Sequence, residues 1–179
     1  MAKNDTYGKN LEIEFQKLNK TNNYVLSDFK CEYANIQKYF REDAVNDKSA
    51  TTYIFVNVKE NPEIVTAMTI NCSIIDLSDN EILPAIEISY FATSDRYRKM
   101  SFTENRENGT LSFNIMLFCI NYIKDMICSQ CAADVIVLYS VPTAVDFYKR
   151  AGFFEFENFM ARKDNPYLEG CLPMYLPLH

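Results

Sequence analysis

The segment AVDFYKRAGF, residues 144–153, decides the fold because it reads as a short amphipathic helix that runs into a glycine. Pro142, just before it, suits the first turn of a helix, and Gly152 suits the left-handed position that ends one. The segment VIVLY, residues 135–139, is a continuous apolar run. Such a run is typical of a strand that is buried on both faces. Together these segments predict a buried strand followed by a helix that ends at Gly152.

Periodicity predicts the remaining elements on either side of this pair. Alternating or β-branched residues predict strands at residues 11–15, 51–58, 64–75, 85–93, 153–160 and 174–178. Apolar residues at three- and four-residue spacing predict helices at residues 33–44 and 110–129, whereas SDNEILP, residues 78–84, interrupts the strand pattern. The order is therefore strand, helix, three strands, helix, strand, helix and two strands. This order predicts an α+β or α/β domain with helices packed over a mixed sheet.

Length and composition limit the function. The chain has 179 residues, 48% hydrophobic and 23% charged, which fits one soluble globular domain over residues 1–179. Its net charge of −6 argues against a nucleic-acid binder that relies on overall positive charge, although a local basic patch could still exist. No apolar run approaches the ~20 residues of a membrane span. The opening MAKNDTYGKN lacks the apolar core of a signal peptide, so we expect a cytoplasmic protein with no membrane partner.

Cysteine and histidine usage argues against a metal site and against a histidine-dependent hydrolase. The six cysteines have no repeated spacing, and Cys128 and Cys131 form a C-x-x-C pair without the second Cys or His pair that structural zinc requires. We therefore expect reduced thiols and no metal. The single histidine, His179, is the last residue, which makes it a poor member of a Ser-His-Asp or Cys-His site.

From about Phe29 onward, the chain resembles the GNAT superfamily of N-acetyltransferases, most closely over residues 85–156. The element order matches, and so does the helix motif A-x-x-F-Y-x-x-x-G-F. Its fixed positions are occupied by Ala144, Phe147, Tyr148, Gly152 and Phe153. Residues 29–56 also resemble a subgroup that includes toxins acetylating aminoacyl-tRNA. The resemblance implies a mostly antiparallel sheet, flanked by helices and splayed between the fourth and fifth strands. It also implies acetyl-CoA as the cofactor.

The resemblance also implies where acetyl-CoA would bind. A pyrophosphate needs accessible backbone N–H groups and a helix N-terminus, and basic side chains add charge-assisted contacts. Family members often bind the cofactor through an asparagine where this chain has Val141, so Ser140 or Thr143 is expected to replace that contact. The backbone of the fourth strand is expected to pair with the pantetheine arm. The full set of expected cofactor-binding residues is Phe91, Thr93, Arg98, Lys99, Arg106, Gly109, Thr110, Ser140 and Thr143.

One part of the chain departs from the family pattern. The usual pyrophosphate loop reads R/Q-x-x-G-x-G/A, whereas this chain has Arg106 and Gly109 but Leu111 in place of the second small residue. Alternatively, the loop begins in residues 98–101 and an insertion occupies residues 100–108. A solvated basic loop without a ligand is a third interpretation of the same residues.

Two residues are candidates for catalysis. By the position of a tyrosine common in the family, Tyr148 is expected to protonate the departing thiolate, since a phenol with a pKa near ~10 is a reasonable donor. Glu87 is the candidate base for the amine, acting through water. Strand alternation places Glu87 opposite Ile86 and Ile88, which allows either a cleft-facing or a solvated carboxylate. A locally bonded tyrosine without a catalytic role is the alternative for Tyr148.

Three functions follow from these residues and the resemblance. The first is an acetyl-CoA-dependent N-acetyltransferase that uses direct transfer in a ternary complex to a primary amine of a small molecule, peptide or protein. The second is a toxin that acetylates aminoacyl-tRNA. Only this alternative makes a nucleic acid the partner. The third is a non-catalytic binding module with a degenerate pyrophosphate loop. The 12 tyrosines and 13 phenylalanines leave room for an apolar homodimer interface.

Overall fold

The structure is a computed structural model of the chain, and it describes residues 11–59, 61–77, 81–103, 109–127, 130–156 and 168–178. Within these residues the protein has seven strands, three α-helices and short 3-10 and π-helical turns. The strands are β1 (Ile13–Lys17), β2 (Thr51–Asn57), β3 (Glu63–Leu77), β4 (Glu81–Thr93), β5 (Val135–Ser140), β6 (Phe154–Glu155) and β7 (Leu172–Pro177). The helices are α1 (Ala34–Lys38), α2 (Leu111–Tyr122) and α3 (Val145–Arg150).

The strands form one mixed sheet, which confirms the predicted fold class. Their order is β1-β2-β3-β4-β5-β7-β6. Strands β4 and β5 are parallel, whereas β1 with β2, β5 with β7 and β6 with β7 are antiparallel. A parallel pair needs a long crossover connection, and α2 lies in that connection. The β4–β5 register runs from Ala85↔Val135 to Ile88↔Leu138, although β4 continues to Thr93 and β5 to Ser140. Beyond this register the two strands are no longer partners.

The chain divides into two compact units. Unit 1 consists of Met1–Thr69 and Tyr90–Met116, and unit 2 consists of Ile70–Ser89 and Leu117–His179. Strands β3 and β4 and helix α2 each contribute residues to both units, because one of the three boundaries between the units falls inside each of these elements.

The core of unit 1 is built from β2, β3 and β4 and from the segment that contains α1. Phe29 and Phe40 are almost fully buried and pack edge to face with their ring centroids 5.5 Å apart. After α1 the helix widens into a π-helical turn, Tyr39–Asp43, in which the Ala44 N–H donates to the Tyr39 carbonyl at 2.9 Å. The predicted apolar stripe of the 33–44 helix is therefore present, but its second half is π-helical rather than α-helical.

The core of unit 2 includes a cluster on one face of the sheet. Ile75, Ala85, Val135 and Val137 are buried there, and four partly buried side chains pack against them: Leu83, Tyr139, Phe156 and Tyr175. Directly paired residues on neighbouring strands project to the same face of a sheet. The pairs Ala85↔Val135 and Val137↔Tyr175 agree with this placement.

The elements differ from the predicted ones mainly in their bounds. Strand β4 begins at Glu81 and includes Pro84, although SDNEILP was expected to interrupt the strand. Proline lacks an N–H, but the Pro84 carbonyl still accepts a hydrogen bond from the Asp134 N–H at 2.9 Å. The predicted 110–129 helix ends as an α-helix at Tyr122 and continues as a π-helical turn, Ile123–Ile127. Beyond Phe156, the predicted strand at residues 153–160 lies outside the described residues.

Helix α3 and its glycine follow the sequence prediction closely. Pro142 lies in the 3-10 turn Pro142–Ala144 that opens the helix. Gly152 has a φ of 98°, and its N–H donates to the Lys149 carbonyl at 3.0 Å, while the Phe153 N–H donates to the Tyr148 carbonyl at 3.0 Å. These bonds satisfy carbonyl groups at the helix end.

None of the described helices is long and apolar enough to cross a membrane.

We expect Gly152→Ala to destabilise the protein by roughly 1–2 kcal/mol, because L-residues avoid positive φ and an added Cβ would lie 3.3 Å from Leu176 Cδ1. Gly170→Ala is the matched control, since Gly170 has a φ of 76° but no heavy atom within 4 Å of an added Cβ. Urea unfolding of the three proteins measures both changes. Equal losses in the two variants would show that the contact with Leu176 contributes nothing.

Candidate functional site

The residues expected to form the site divide between the two units. Unit 1 contains Phe91, Thr93, Arg98, Lys99, Gly109 and Thr110, and unit 2 contains Glu87, Ser140, Thr143 and Tyr148. Arg106 lies outside the described residues, and so does most of the atypical segment between residues 103 and 109. The described site residues therefore fall into two groups, one in each unit.

In unit 1, strand β4 is followed by a tight turn. The N–H groups of Tyr97 and Arg98 both donate to the Ser94 carbonyl, at 2.8 and 3.0 Å, and the Met100 N–H donates to the Tyr97 carbonyl at 3.0 Å. The Ser94 N–H in turn donates to the Val65 carbonyl of β3 at 2.9 Å. Arg98 and Lys99 are therefore held on a defined turn directly after β4, where the sequence predicted a basic loop.

The basic side chains of this turn have different partners. Arg96 Nη1 contacts both carboxylate oxygens of Glu63 at 2.6 Å, and the same carboxylate accepts a hydrogen bond from the Tyr97 hydroxyl. Burial, followed by this bond to Glu63, raises the pKa of Tyr97. Arg98 Nη1 is paired with Glu32 Oε2. Arg98, which the sequence assigned to the coenzyme phosphates, is therefore already paired with a carboxylate within unit 1.

The start of α2 is closed by contacts within the chain. Thr110 precedes the helix, and its Oγ1 accepts a hydrogen bond from the Phe113 N–H at 3.2 Å, as an N-cap residue does. The Leu111 N–H donates to the Met100 carbonyl at 2.8 Å, and the Phe102 N–H donates to the Gly109 carbonyl at 3.1 Å. Two N–H groups of the first helical turn are thus already satisfied. The helix start offers an anion fewer donors than an open N-terminus would.

The expected pantetheine-binding end of β4 is anchored by a buried polar chain. Thr93 Oγ1 donates to Ser112 Oγ at 2.9 Å and lies 3.1 Å from Thr66 Oγ1. All three side chains are buried. Phe91 is partly buried. The side chain of Thr93 therefore ties β4 to β3 and to the first turn of α2, and only its backbone is left for the predicted contact.

In unit 2, Tyr148 lies on α3 between two aromatic rings. Its side chain is buried, and its ring meets those of Phe147 and Phe153 edge to face with centroids 5.2 and 5.8 Å apart. Both phenylalanines are fixed positions of the quoted helix motif. The motif thus holds the ring of the predicted acid in one orientation.

Glu87 is buried at 3% exposure, which excludes the solvated carboxylate that the sequence had left open. It is the register partner of Val137, which is in turn the partner of Tyr175, so all three side chains share one sheet face. Phe154 also pairs with Tyr175, so by alternation Phe153 projects to the other face, where it contacts Tyr148. Glu87 and Tyr148 therefore lie on opposite faces of the sheet in unit 2.

The two residues expected to replace an asparagine contact differ in exposure. Ser140 is fully buried at the end of β5, and its hydroxyl donates to the Val141 carbonyl at 2.9 Å. Thr143 is exposed in the turn that opens α3. Of the two, Thr143 presents its side chain to solvent.

Unit 1 also contains a polar network that the sequence analysis missed. The Tyr39 hydroxyl donates to Asp47 Oδ2 at 2.9 Å, and the buried hydroxyls of Thr52 and Thr69 are 2.7 Å apart. The Tyr39 ring stacks on that of Tyr90, with centroids 3.9 Å apart. Burial is the largest cause that raises the pKa of Tyr39 to about 12. Its partners are far apart in sequence, so helical periodicity identified Tyr39 only as a core residue.

Among the described residues, no group of three or more His, Cys, Asp or Glu side chains could hold a metal ion.

Comparison with known proteins identifies the fold. No protein-family model matches the sequence, and the curated proteins contain no significant match. Solved structures do match over almost the whole chain. One described as a bacterial toxin has a TM-score of 0.73 at 14% identity, covering 94% of this chain and 92% of its own. The protein therefore has the GNAT fold that the sequence resemblance implied.

Two further matching structures were solved with bound molecules. A tyrosine-to-phenylalanine mutant of the AtaT toxin, bound to the C-terminus of the antitoxin AtaR and acetyl-CoA, has a TM-score of 0.69 at 13% identity and covers 93% of each chain. AtaT complexed with acetyl-methionyl-tRNAfMet has a TM-score of 0.68 at 13% identity, covering 93% of this chain and 95% of its own. At these identities the likeness establishes the fold.

Thr110→Ala should lower the stability of the protein by about 1 kcal/mol, because the Phe113 N–H would lose its capping partner. Thr110→Ser keeps a hydroxyl and should restore most of the loss. Urea unfolding midpoints of the three proteins test this role. If the serine variant is as unstable as the alanine variant, the methyl group rather than the hydrogen bond is what matters at this position.

Proposed function

We propose that the protein is an acetyl-CoA-dependent N-acetyltransferase that transfers an acetyl group directly to a primary amine. The observation that carries this proposal is Tyr148, which the motif residues Phe147 and Phe153 hold on the helix that follows β5. The fold gives independent support, because a protein with the same fold was solved with acetyl-CoA.

The residues of unit 1 fit the phosphate groups of the coenzyme in part. Lys99 makes no ion pair with the described residues and is exposed, so its ammonium can meet a phosphate directly. Arg98 has one nitrogen, Nη1, in contact with Glu32, so a phosphate that binds at Nη1 competes with this carboxylate. Gly109, with a φ of 75°, lets the chain turn sharply before α2, although two nearby amides are already used. We therefore assign Arg98 and Lys99 to the phosphates.

Acetyl-CoA supplies the acetyl group as a thioester, which is activated for attack by a neutral amine. Tyr148 is the proposed general acid, since its hydroxyl proton can pass to the sulfur as the thiolate leaves. Burial of its ring between Phe147 and Phe153 fixes the direction of the hydroxyl. Such positioning reduces the entropy that is lost when the transition state forms.

Glu87 is the proposed base, acting on the amine through water. Because it lies on the sheet face opposite Tyr148, the two side chains cannot share one proton in unit 2. In this proposal Glu87 receives the proton of the amine through bridging water, and Tyr148 gives a proton to the sulfur.

For the acceptor, we propose the amino group of an aminoacyl-tRNA in preference to a small-molecule or peptide amine. The support is the solved complex of AtaT with acetyl-methionyl-tRNAfMet, whose fold matches this chain. The net charge of −6 had argued against RNA. However, unit 1 contains 13 basic and 13 acidic residues, whereas unit 2 contains 5 and 11. The negative charge therefore belongs to unit 2, so RNA would meet less repulsion at unit 1.

Tyr148→Phe tests the catalytic assignment. It keeps the ring contacts and removes the proton, so we expect kcat to fall by about 10²–10⁴-fold with coenzyme affinity nearly unchanged. Tyr175→Phe is the matched control, because it removes a hydroxyl from the opposite sheet face. Thermal stabilisation by acetyl-CoA is measured first, since a ligand at 100 times its Kd adds about 2.7 kcal/mol. No stabilisation at millimolar acetyl-CoA would instead support the non-catalytic binding module.

The acceptor is tested by offering charged tRNA, uncharged tRNA and the free amino acid together with labelled acetyl-CoA. We expect label in the aminoacyl-tRNA alone, at a rate that falls with increasing salt because RNA binding releases counterions. Label transferred to small amines but not to aminoacyl-tRNA would overturn the acceptor proposal and leave the acetyltransferase proposal intact.

A further inference from the structure

The pairing of Arg98 with Glu32 lies within unit 1 and brings together residues 66 positions apart in sequence. Glu32 is in the segment that leads into α1, and Arg98 is in the turn that follows β4. A second contact joins the same two segments, because the Asp95 N–H donates to the Lys30 carbonyl at 2.9 Å. The approach of the two segments is therefore fixed by backbone as well as by charge.

The segment that carries Glu32 is itself tied down. Arg41 Nε donates to the Phe29 carbonyl at 2.8 Å, and the Cys31 N–H donates to Gln37 Oε1 at 3.3 Å. Cys31 Sγ also donates to the Tyr33 carbonyl at 3.4 Å. The backbone on both sides of Glu32 is thus fixed within unit 1, whereas its side chain is half exposed.

The ion pair of Arg98 and Glu32 is a single contact between half-exposed side chains. One nitrogen of Arg98 meets one oxygen of Glu32, and their side chains are 42% and 52% exposed. Exposed pairs of this kind contribute little in water. Arg96, two residues earlier, contacts both oxygens of Glu63, which also accepts a hydrogen bond from Tyr97. Arg96 therefore belongs to a network with Glu63 and Tyr97, whereas Arg98 can change partner without breaking a network.

We propose that Glu32 is an internal competitor for the coenzyme phosphate at Arg98. This inference rests on the proposed acetyl-CoA function. A phosphate can form a bidentate contact with the guanidinium, whereas Glu32 makes a single contact, so a phosphate that takes Nη1 displaces Glu32. The displaced carboxylate returns to water and remains near the bound phosphate. Glu32 thereby lowers coenzyme affinity and disfavours ligands that carry too little negative charge to displace it.

The experiment measures the Kd of acetyl-CoA calorimetrically for the wild type, Glu32→Gln, Arg98→Gln and the double variant. We expect Glu32→Gln to bind about two- to fivefold more tightly, as the loss of an exposed competitor predicts. Arg98→Gln should bind more weakly, and most of the gain from Glu32→Gln should disappear in the Arg98→Gln background. Raising the salt concentration should reduce the difference.

Glu155→Gln is the matched control. Glu155 forms a similarly exposed pair with Lys149 at 2.6 Å, on residues without a proposed phosphate contact. This variant should leave the Kd unchanged. Equal or weaker binding by Glu32→Gln, or a gain that persists without Arg98, overturns the role of Glu32 while the acetyl-CoA function stands. If the wild type and all variants fail to bind acetyl-CoA, the proposed function and this inference both fall.

Discussion

The parallel pairing of β4 with β5 is the constraint on which the rest of the structure depends. It spans only Ala85–Ile88 and Val135–Leu138, although both strands are longer. Two parallel strands cannot be joined by a hairpin, so the chain must leave β4, form a crossover and return. The crossover contains the basic turn, the capped start of α2 and the helix itself. The connection that follows β5 contains α3 and Tyr148. The short pairing therefore determines which segments of the sequence can supply site residues.

Interactions within unit 1 fall into two classes that suit different purposes. The hydroxyls of Thr66, Thr93 and Ser112 are buried, so breaking one of their bonds would leave an unsatisfied polar group and cost about 1–3 kcal/mol. The pair of Arg98 and Glu32 is half exposed, and water replaces either partner at little cost. The buried bonds hold the end of β4 in place. The exposed pair lies on the turn where a ligand would have to find a cation.

The sequence predicted the elements whose signals are local. VIVLY, Pro142 and Gly152 specified a buried strand, a helix start and a helix end through residues adjacent in the chain, and the structure has all three. The start of β4 was missed because a proline argues against a strand only through its missing N–H, and the Pro84 carbonyl still pairs with Asp134. The π-helical turn at Tyr39 was missed because periodicity does not distinguish a helix that widens by one residue. The partner of Arg98 was missed because no local pattern points from a turn to a glutamate 66 residues earlier.

The distribution of charged residues along the chain is more informative about function than the net charge. A net charge of −6 describes an acidic protein, yet its excess acidic residues all belong to unit 2. Unit 1 has equal numbers of basic and acidic residues, but its basic side chains differ in whether they are paired. Arg96 and Arg98 each contact a carboxylate, whereas Lys99 contacts none among the described residues. Dissolved salt screens exposed charges beyond about a Debye length, ~8 Å at physiological ionic strength, so a phosphate responds mainly to the charges nearest to it. In the proposed coenzyme site, a phosphate would contact Lys99 and compete with Glu32 for Arg98. The proposed affinity for coenzyme therefore depends on a local exchange of partners rather than on the acidity of the whole chain.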